Sequence, residues 1–465
     1  MKKPIKIHWV SLLFNLSMLL LFFAFSISSK GEFLIIAFIG MAIFISFVKA
    51  QEKTFVSLLY LCVAMFMLGQ RTIYIGQAIR ISPALALCAY LFLLLLIFQK
   101  RPSGALVRWF LPSGYLYLLG VLFGLVTAFL NRLNMNFAIA YGILLVCAFP
   151  IFYVVHALVK DIGIVRKIFF VLIVTAFLNS LLGMAEYVGI RIPLLSGWYG
   201  GTIMQEGEAG PMRASATFWG GPMLAGYLAL ILPLIISFFN IFRKSSFLRF
   251  FMVFSFLSCI AFIFFSGYRG IWIAVLAGLM AYSFYRGKKE VTILLGLILM
   301  AYHFAAPFIE YRIRGLDPES AVGTSAYIRR ERMQGALVLI REHPFVGIGL
   351  AGSGLVHSDI IQFASDNGIL TSLLFMIFYI KILNRLRKSI RSTRDPELAE
   401  YRVGVFASLF GFFFSFFIES YLNLPEVYVP FWFMLAIGFV LARLPEEEAE
   451  VIAINENDPA SQERL

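Results

Sequence analysis

His357 follows a run in which glycine recurs at Gly347, Gly349, Gly352 and Gly354. Such glycines let a backbone turn sharply or come close to another group. A histidine at the edge of such a turn can take a proton from a hydroxyl, because its ordinary pKa is about 6.5. It would lose that ability below about pH 6. The plainer role for His357 is an interfacial side chain that bonds a carbonyl. A second set of chemistry-bearing residues is basic. Arg71, Arg80, Arg132, Arg191, Arg213, Arg269, Arg312, Arg314, Arg329, Arg330, Arg332 and Arg341 all fall on one expected side of the chain. All but one of the basic residues on that side are arginine. Arginine grips phosphate with a planar fork of two parallel hydrogen bonds, whereas lysine is a point charge. That side is expected to hold phosphate. Arg71, Arg80, Arg132 and Arg191 suit headgroup anchoring equally well.

The elements that must position these residues are membrane helices. Hydrophobic residues make up 60% of the chain and charged residues 14%, far from the balance of a soluble domain. The apolar runs are continuous rather than alternating, which excludes an outer-membrane barrel. About 12–14 apolar segments have spanning length. They centre near Leu19, Phe38, Val63, Leu91, Leu122, Leu145, Phe177, Leu230, Leu257, Leu276, Ile298, Phe375, Phe413 and Leu435. The expected class is an all-α polytopic membrane protein.

Basic loops at Lys2-Lys3, Lys49-Lys53, Lys100-Arg101, Lys160-Arg166-Lys167, Arg243-Lys244, Arg286-Lys288-Lys289 and Lys381 to Arg402 alternate regularly with the others. The positive-inside rule makes their side cytoplasmic, and both termini with it. The Met1-Lys2-Lys3 start leads into a full span with no cleavage site, so a signal anchor is expected. The net charge of +13 then implies anionic lipid contact rather than nucleic acid. The four cysteines lie in apolar runs at unrelated spacings and suggest neither disulfides nor zinc. The aromatic excess is lipid-facing by default, with Trp198, Tyr199 and Trp219 as candidates for stacking on sugar faces.

The expected organisation is transmembrane helices over 1–188, an outer loop over 189–218 and helices over 219–307. A main outer loop follows over 308–358, then helices over 359–444 and a polar, acidic cytoplasmic tail over 445–465. Within the main loop the spacing of Tyr327, Met333, Leu337 and Ile340 predicts an outer-leaflet helix over Ser325 to Glu342. His343 is expected to cap it before Pro344. Asp366 falls two to three turns into the next span and is expected to bond a neighbouring helix. Asp359, Glu310 and Asp317 are the alternative bases.

The string from His343 to Phe375 resembles the carboxy-terminal signature of the O-antigen ligase and polymerase family. The matching positions are Arg329, His343-Pro344, Gly347-Ile348-Gly349, His357, Asp366 and Gly368. The segment RASATFWGGPMLAGYLALILP from Arg213 is similar to the family's Arg-x-x-Gly-Thr-Phe segment. The segment FFSGYRGIWIAVLAG is similar to its Ser-Arg-Gly segment, with Arg269 as the arginine. The likeness runs from about Arg213 to Phe375. The chain departs from the pattern at Ser358, Met333, Ser215-Ala216, Gly221-Pro222 and Thr371.

The resemblance implies a fold like the GT-C class of membrane glycosyltransferases, set in the bacterial inner membrane. It implies transfer of a glycan from an undecaprenyl-diphosphate carrier to an acceptor hydroxyl at the periplasmic face, without metal or cofactor. As a ligase the chain would use lipid A core as acceptor; the alternative is a polymerase with the same donor and a second lipid-linked glycan as acceptor. Arg213 and Arg269 are then expected to clamp the diphosphate, and His357 to act as base. Arg329, Arg330, Arg332, Arg314, Tyr268 and Trp219 are expected to bind substrate. The chain has no Asp-x-Asp pair for a metal–nucleotide sugar and no Walker lysine loop. A transporter of anionic lipid or polysaccharide would instead place charges near mid-span and show an internal repeat. Here the charges concentrate at the outer boundary.

Overall fold

The computed structural model describes residues 52–68, 73–75, 79–81, 83–98, 104–190, 214–218, 220–242, 244–266, 268–287, 325–421 and 424–444, and for a few of these, Arg269 among them, the backbone alone. The spans expected near Leu19, Phe38 and Ile298, most of the loop 189–218, and the segments 308–324 and 445–465 lie outside the described residues.

In a bilayer every backbone N–H and C=O must find a partner within the chain, and a helix meets that demand locally. The described chain is accordingly helical. It runs through α1 (Glu52–Ala64), α2 (Pro83–Phe98), α3 (Gly104–Leu130), α4 (Met135–Val146) and α5 (Ala148–Leu158). Next come α6 (Ile162–Tyr187), α7 (Gly221–Ile241), α8 (Ser246–Phe265) and α9 (Arg269–Arg286). The last four are α10 (Ser325–Glu342), α11 (Asp359–Ser392), α12 (Pro396–Ser415) and α13 (Pro425–Leu441). A small antiparallel ribbon, Ile73–Ile75 with Ile79–Ile81, joins α1 to α2, an element that the all-α expectation lacked. Seven helical segments among the described residues are long and apolar enough to cross a membrane, with α4 and α5 running on as one segment, Met135–Leu158. Shorter apolar helices occur at Phe55–Ala64, Gly270–Arg286 and Glu426–Leu441.

Polar side chains start several of these helices by accepting an otherwise unpaired first-turn N–H. Asn134, Asp161, Ser245 and Asp395 do so for α4, α6, α8 and α12. At the other end of α11, Arg402 is buried and donates to the carbonyls of Ser389, Leu441 and Leu444. It thus closes the carboxy-terminal ends of α11 and α13, where a cation also suits the helix dipole.

Glycines let the helices approach backbone to backbone. A Cβ on Gly411 of α12 would lie 2.4 Å from the Ala274 carbonyl oxygen and 2.8 Å from the Gly278 Cα of α9. A Cβ on Gly120 of α3 would meet the Thr371 side chain of α11 at 2.4 Å. Small residues at such crossings carry helix association where no hydrophobic effect operates. Many aromatic residues fill the bundle instead of facing lipid. Trp432 is fully buried, with Tyr117, Phe152, Phe375 and Phe378 around it. All four cysteines are free and buried.

Candidate active site

The glycine-rich stretch after α10 is pressed against a break in α11. Gly368 has φ 83° and ψ 158°, which divides α11 into a short first segment and a long second one. The break frees carbonyls that a continuous helix would use, and the preceding loop takes them. Ile348 N–H donates to Ser365 O at 2.9 Å and Gly349 N–H to Asp366 O at 3.0 Å, while Ile369 N–H donates back to Pro344 O at 2.8 Å. Glycine is required because the contact is backbone on backbone. A Cβ on Gly368 would fall 1.9 Å from Phe345 O, and one on Gly349 would fall 2.4 Å from Ala128 N. The group these glycines approach is therefore the chain's own backbone.

This loop delivers His357 in the left-handed backbone region, φ 62°, which is unfavourable for a non-glycine residue and clusters at functional positions. The imidazole Nδ1 lies 2.9 Å from Oε1 of Glu419, in the loop between α12 and α13. Among the described residues Nε2 has no partner. The other carboxylate oxygen, Oε2, lies 3.6 Å from the Arg329 guanidinium, an ion-pair distance rather than a hydrogen bond. Arg329 also donates to the Tyr268 hydroxyl at 2.8 Å and stands 5.2 Å from that ring's centroid. Arg332 donates to Leu355 O at 3.4 Å, two residues before His357.

Burial disfavours charge on both members of the His357–Glu419 pair. It lowers the His357 imidazole to about 4, and the charges of Arg329 and Arg332 push in the same direction. It raises the Glu419 carboxyl to about 7, against one backbone hydrogen bond at Ser420. The imidazole is thus neutral at physiological pH. The positive charge of the cluster resides on the arginines.

A second buried carboxylate shapes the turn that enters α7. Glu186 Oε2, at the end of α6, accepts the N–H groups of Ser215 and Ala216 at 2.8 and 2.9 Å. Thr217 donates to Asn179 Oδ1 at 2.6 Å. Ala216 has φ 49°, so the position where the resembled pattern has glycine keeps a glycine-like backbone without the glycine.

Of the residues expected at a site, the structure brings together His357, Arg329, Arg332 and Tyr268. Arg330 is exposed on α10, and nothing described joins it to the cluster. The Arg269 backbone begins α9 one residue after Tyr268. Arg213, Arg314, Trp219, Glu310 and Asp317 lie outside the described residues. Asp359 and Asp366 are buried and bonded to the backbone N–H groups of Tyr421 and Ser353. Asp366 therefore holds the preceding loop, not a neighbouring helix as expected. Sequence reasoning missed Glu419 and Glu186. The available signal was an ionisable residue at a span boundary, which is a functional candidate by default. Among the described residues no three of His, Cys, Asp and Glu gather as metal ligands would.

No curated protein matches the chain. The family model described as O-antigen ligase matches residues 253–376. That stretch contains Tyr268, Arg269, Arg329, Arg332 and His357. It begins after Arg213, which narrows the likeness at its amino-terminal end, and it stops before Glu419. Residues 253–376 of this multi-pass membrane protein form an O-antigen ligase family domain, from a bacterial family of enzymes that transfer lipid-linked glycans.

Proposed function

We propose that the chain transfers a glycan from undecaprenyl diphosphate to an acceptor hydroxyl at the periplasmic face of the bacterial inner membrane, as an O-antigen ligase whose acceptor is lipid A core. The observation that carries this reading is the pairing of His357 Nδ1 with Glu419 Oε1, beside Arg329 and Arg332. Glu419 as a carboxylate accepts a hydrogen bond from Nδ1–H, which holds the ring proton there and leaves Nε2 with a lone pair, the arrangement a general base needs. The acceptor hydroxyl gives its proton to Nε2 as its oxygen bonds to the anomeric carbon. The bond from that carbon to the diphosphate breaks, and undecaprenyl diphosphate leaves with the electron pair. The arginines compensate the negative charge that grows on the leaving group. Arg269 and Arg213 clamp the diphosphate, while Arg329 and Arg332 serve the acceptor side. Arg314, Tyr268 and Trp219 bind substrate. Both termini are cytoplasmic. No metal or further cofactor enters this scheme.

The test is transfer by the purified protein in proteoliposomes carrying an undecaprenyl-diphosphate-linked glycan. Lipid A core is supplied as acceptor in one arm and a second lipid-linked glycan in the other. Product on lipid A core supports the ligase, and product only on the lipid-linked glycan makes the chain a polymerase. His357→Ala is expected to lower the rate by about 10²–10⁴-fold, the usual contribution of a general base. Transfer by His357→Ala at the wild-type rate would remove His357 from the chemistry.

A further inference from the structure

The first segment of α11, residues 359–367, ends at the Gly368 break and touches both loops that form the His357–Glu419 pair. At its start, Asp359 Oδ2 accepts the Tyr421 N–H at 2.9 Å. The Asp359 N–H donates to Glu419 O at 3.1 Å, and the Ile360 N–H to Phe416 O at 3.3 Å. At its far end, Asp366 Oδ1 accepts the Ser353 N–H at 2.8 Å. Between the two, Gln362 Oε1 accepts the N–H of Val356, the residue before His357, at 3.3 Å. Asp359 is 2% exposed and Asp366 is not exposed at all.

Burying a carboxylate is costly, and an apolar side chain would fill the same volume more cheaply. What the two acids supply is a directional acceptor for a buried backbone N–H, which an apolar side chain cannot provide. Each acid holds a different loop. Asp366 holds the turn that ends in His357, and Asp359 holds the turn that carries Glu419. His357 itself sits in an unfavourable backbone conformation, which persists only where its surroundings over-determine it.

We propose that Asp359 and Asp366 are positioning residues: two buried acids on one short helical segment that set the spacing between the His357 loop and the Glu419 loop. Neither handles the transferred proton. This inference rests on His357 being the base, and it assigns the two neighbouring carboxylates a role other than that of substitute bases.

The test compares Asn and Ala at each position, with transfer normalised to protein in the membrane. Asparagine keeps an oxygen that accepts the loop N–H but cannot take up a proton. Asp366→Asn and Asp359→Asn are expected to stay near the wild-type rate. Asp366→Ala and Asp359→Ala are expected to lose on the order of 10²-fold in kcat, as a misplacement of about 1 Å does. Donor KM should not change, and the Ala substitutions should cause no further loss when combined with His357→Ala. Asn variants as inactive as the Ala variants, at wild-type protein level, would mean that the acids handle protons. Asn variants that fail to accumulate, or Ala losses that add fully to that of His357→Ala, would make the acids general supports of the fold. Both results overturn the proposal. Full transfer by His357→Ala alone would instead overturn the base reading, independently of the Asp variants.

Discussion

Nδ1 of His357 stands 2.9 Å from Oε1 of Glu419 although 62 residues of chain separate them. The proton on that contact decides what Nε2 can do. Above about pH 7 Glu419 is a carboxylate, Nδ1–H donates to it, and Nε2 can accept a proton. As the pH falls through about 7, Glu419 takes up a proton and its O–H donates to Nδ1. The ring proton then resides on Nε2, which can no longer accept. The imidazole itself charges only near 4. Transfer is therefore expected to fall below about pH 7, well before the ring is cationic. In Glu419→Gln that limb should move down toward 4 at a reduced rate, because a glutamine oxygen accepts Nδ1–H at every pH. Profiles of kcat from about pH 5 to 9 in both proteins check this. An unmoved limb would show that Glu419 does not control the ring.

Arg269→Lys tests the phosphate fork. If the guanidinium holds the diphosphate with two bonds, lysine cannot replace it. The expected loss is at least about tenfold in transfer, or about 1.4 kcal/mol of transition-state stabilisation. Arg213→Lys should behave alike. Wild-type rates in both at equal protein level would reduce them to headgroup anchors.

Gly368→Ala should be severe. The residue sits at φ 83°, and its new methyl would lie 1.9 Å from a backbone oxygen that cannot step aside. A cost of at least about 2 kcal/mol is expected from backbone strain and overpacking together. Gly335→Ala is the control. It lies within α10 with nothing within 4 Å of the added carbon, so it should be neutral or stabilising by up to about 1 kcal/mol. Thermal unfolding in detergent separates the two, and equal midpoints would contradict the packing described.

The sidedness inferred from loop charge is tested by single cysteines in a background lacking the four native ones. Cysteine at Ser320 should react with an impermeant thiol reagent from the periplasmic side, and cysteine at Ser392 should not. The reverse pattern would invert every loop and put the arginine-rich face inside the cell.

The features legible in the sequence were those written in local spacing. The helix Ser325–Glu342 appears with the bounds its apolar spacing suggests, and the two arginines nearest His357 belong to it. The glycine-rich loop was legible as backbone needing close approach, but not what it approaches. The same absence of a Cβ serves a ligand or another stretch of chain, and here Gly347 meets Asp366 while Gly349 meets Ala128. Thr371, which departs from the resembled pattern, is accommodated by Gly120 on another helix, a compensation no local reading contains. Glu419 was hidden because its meaning is wholly tertiary. An acid between two apolar helices has no local pattern that names His357 and Arg329 as its neighbours. Asp359 and Asp366 were visible as acids near His357, yet their partners are backbone amides, which carry no sequence identity.

The glycine crossing of α9 and α12 bears on how the site can move. Tyr268 stands at the start of α9, and Glu419 follows the end of α12. With Gly411 lying against Ala274 and Gly278, the two helices have no side-chain cushion between them to compress or slide at that point. Tyr268 and Glu419 thus belong to one stiff strut, and Arg329 reaches across to both from α10. Removing the Arg329 guanidinium would therefore take away only the bridge from α10 and leave the spacing of Tyr268 and Glu419 to the helix crossing.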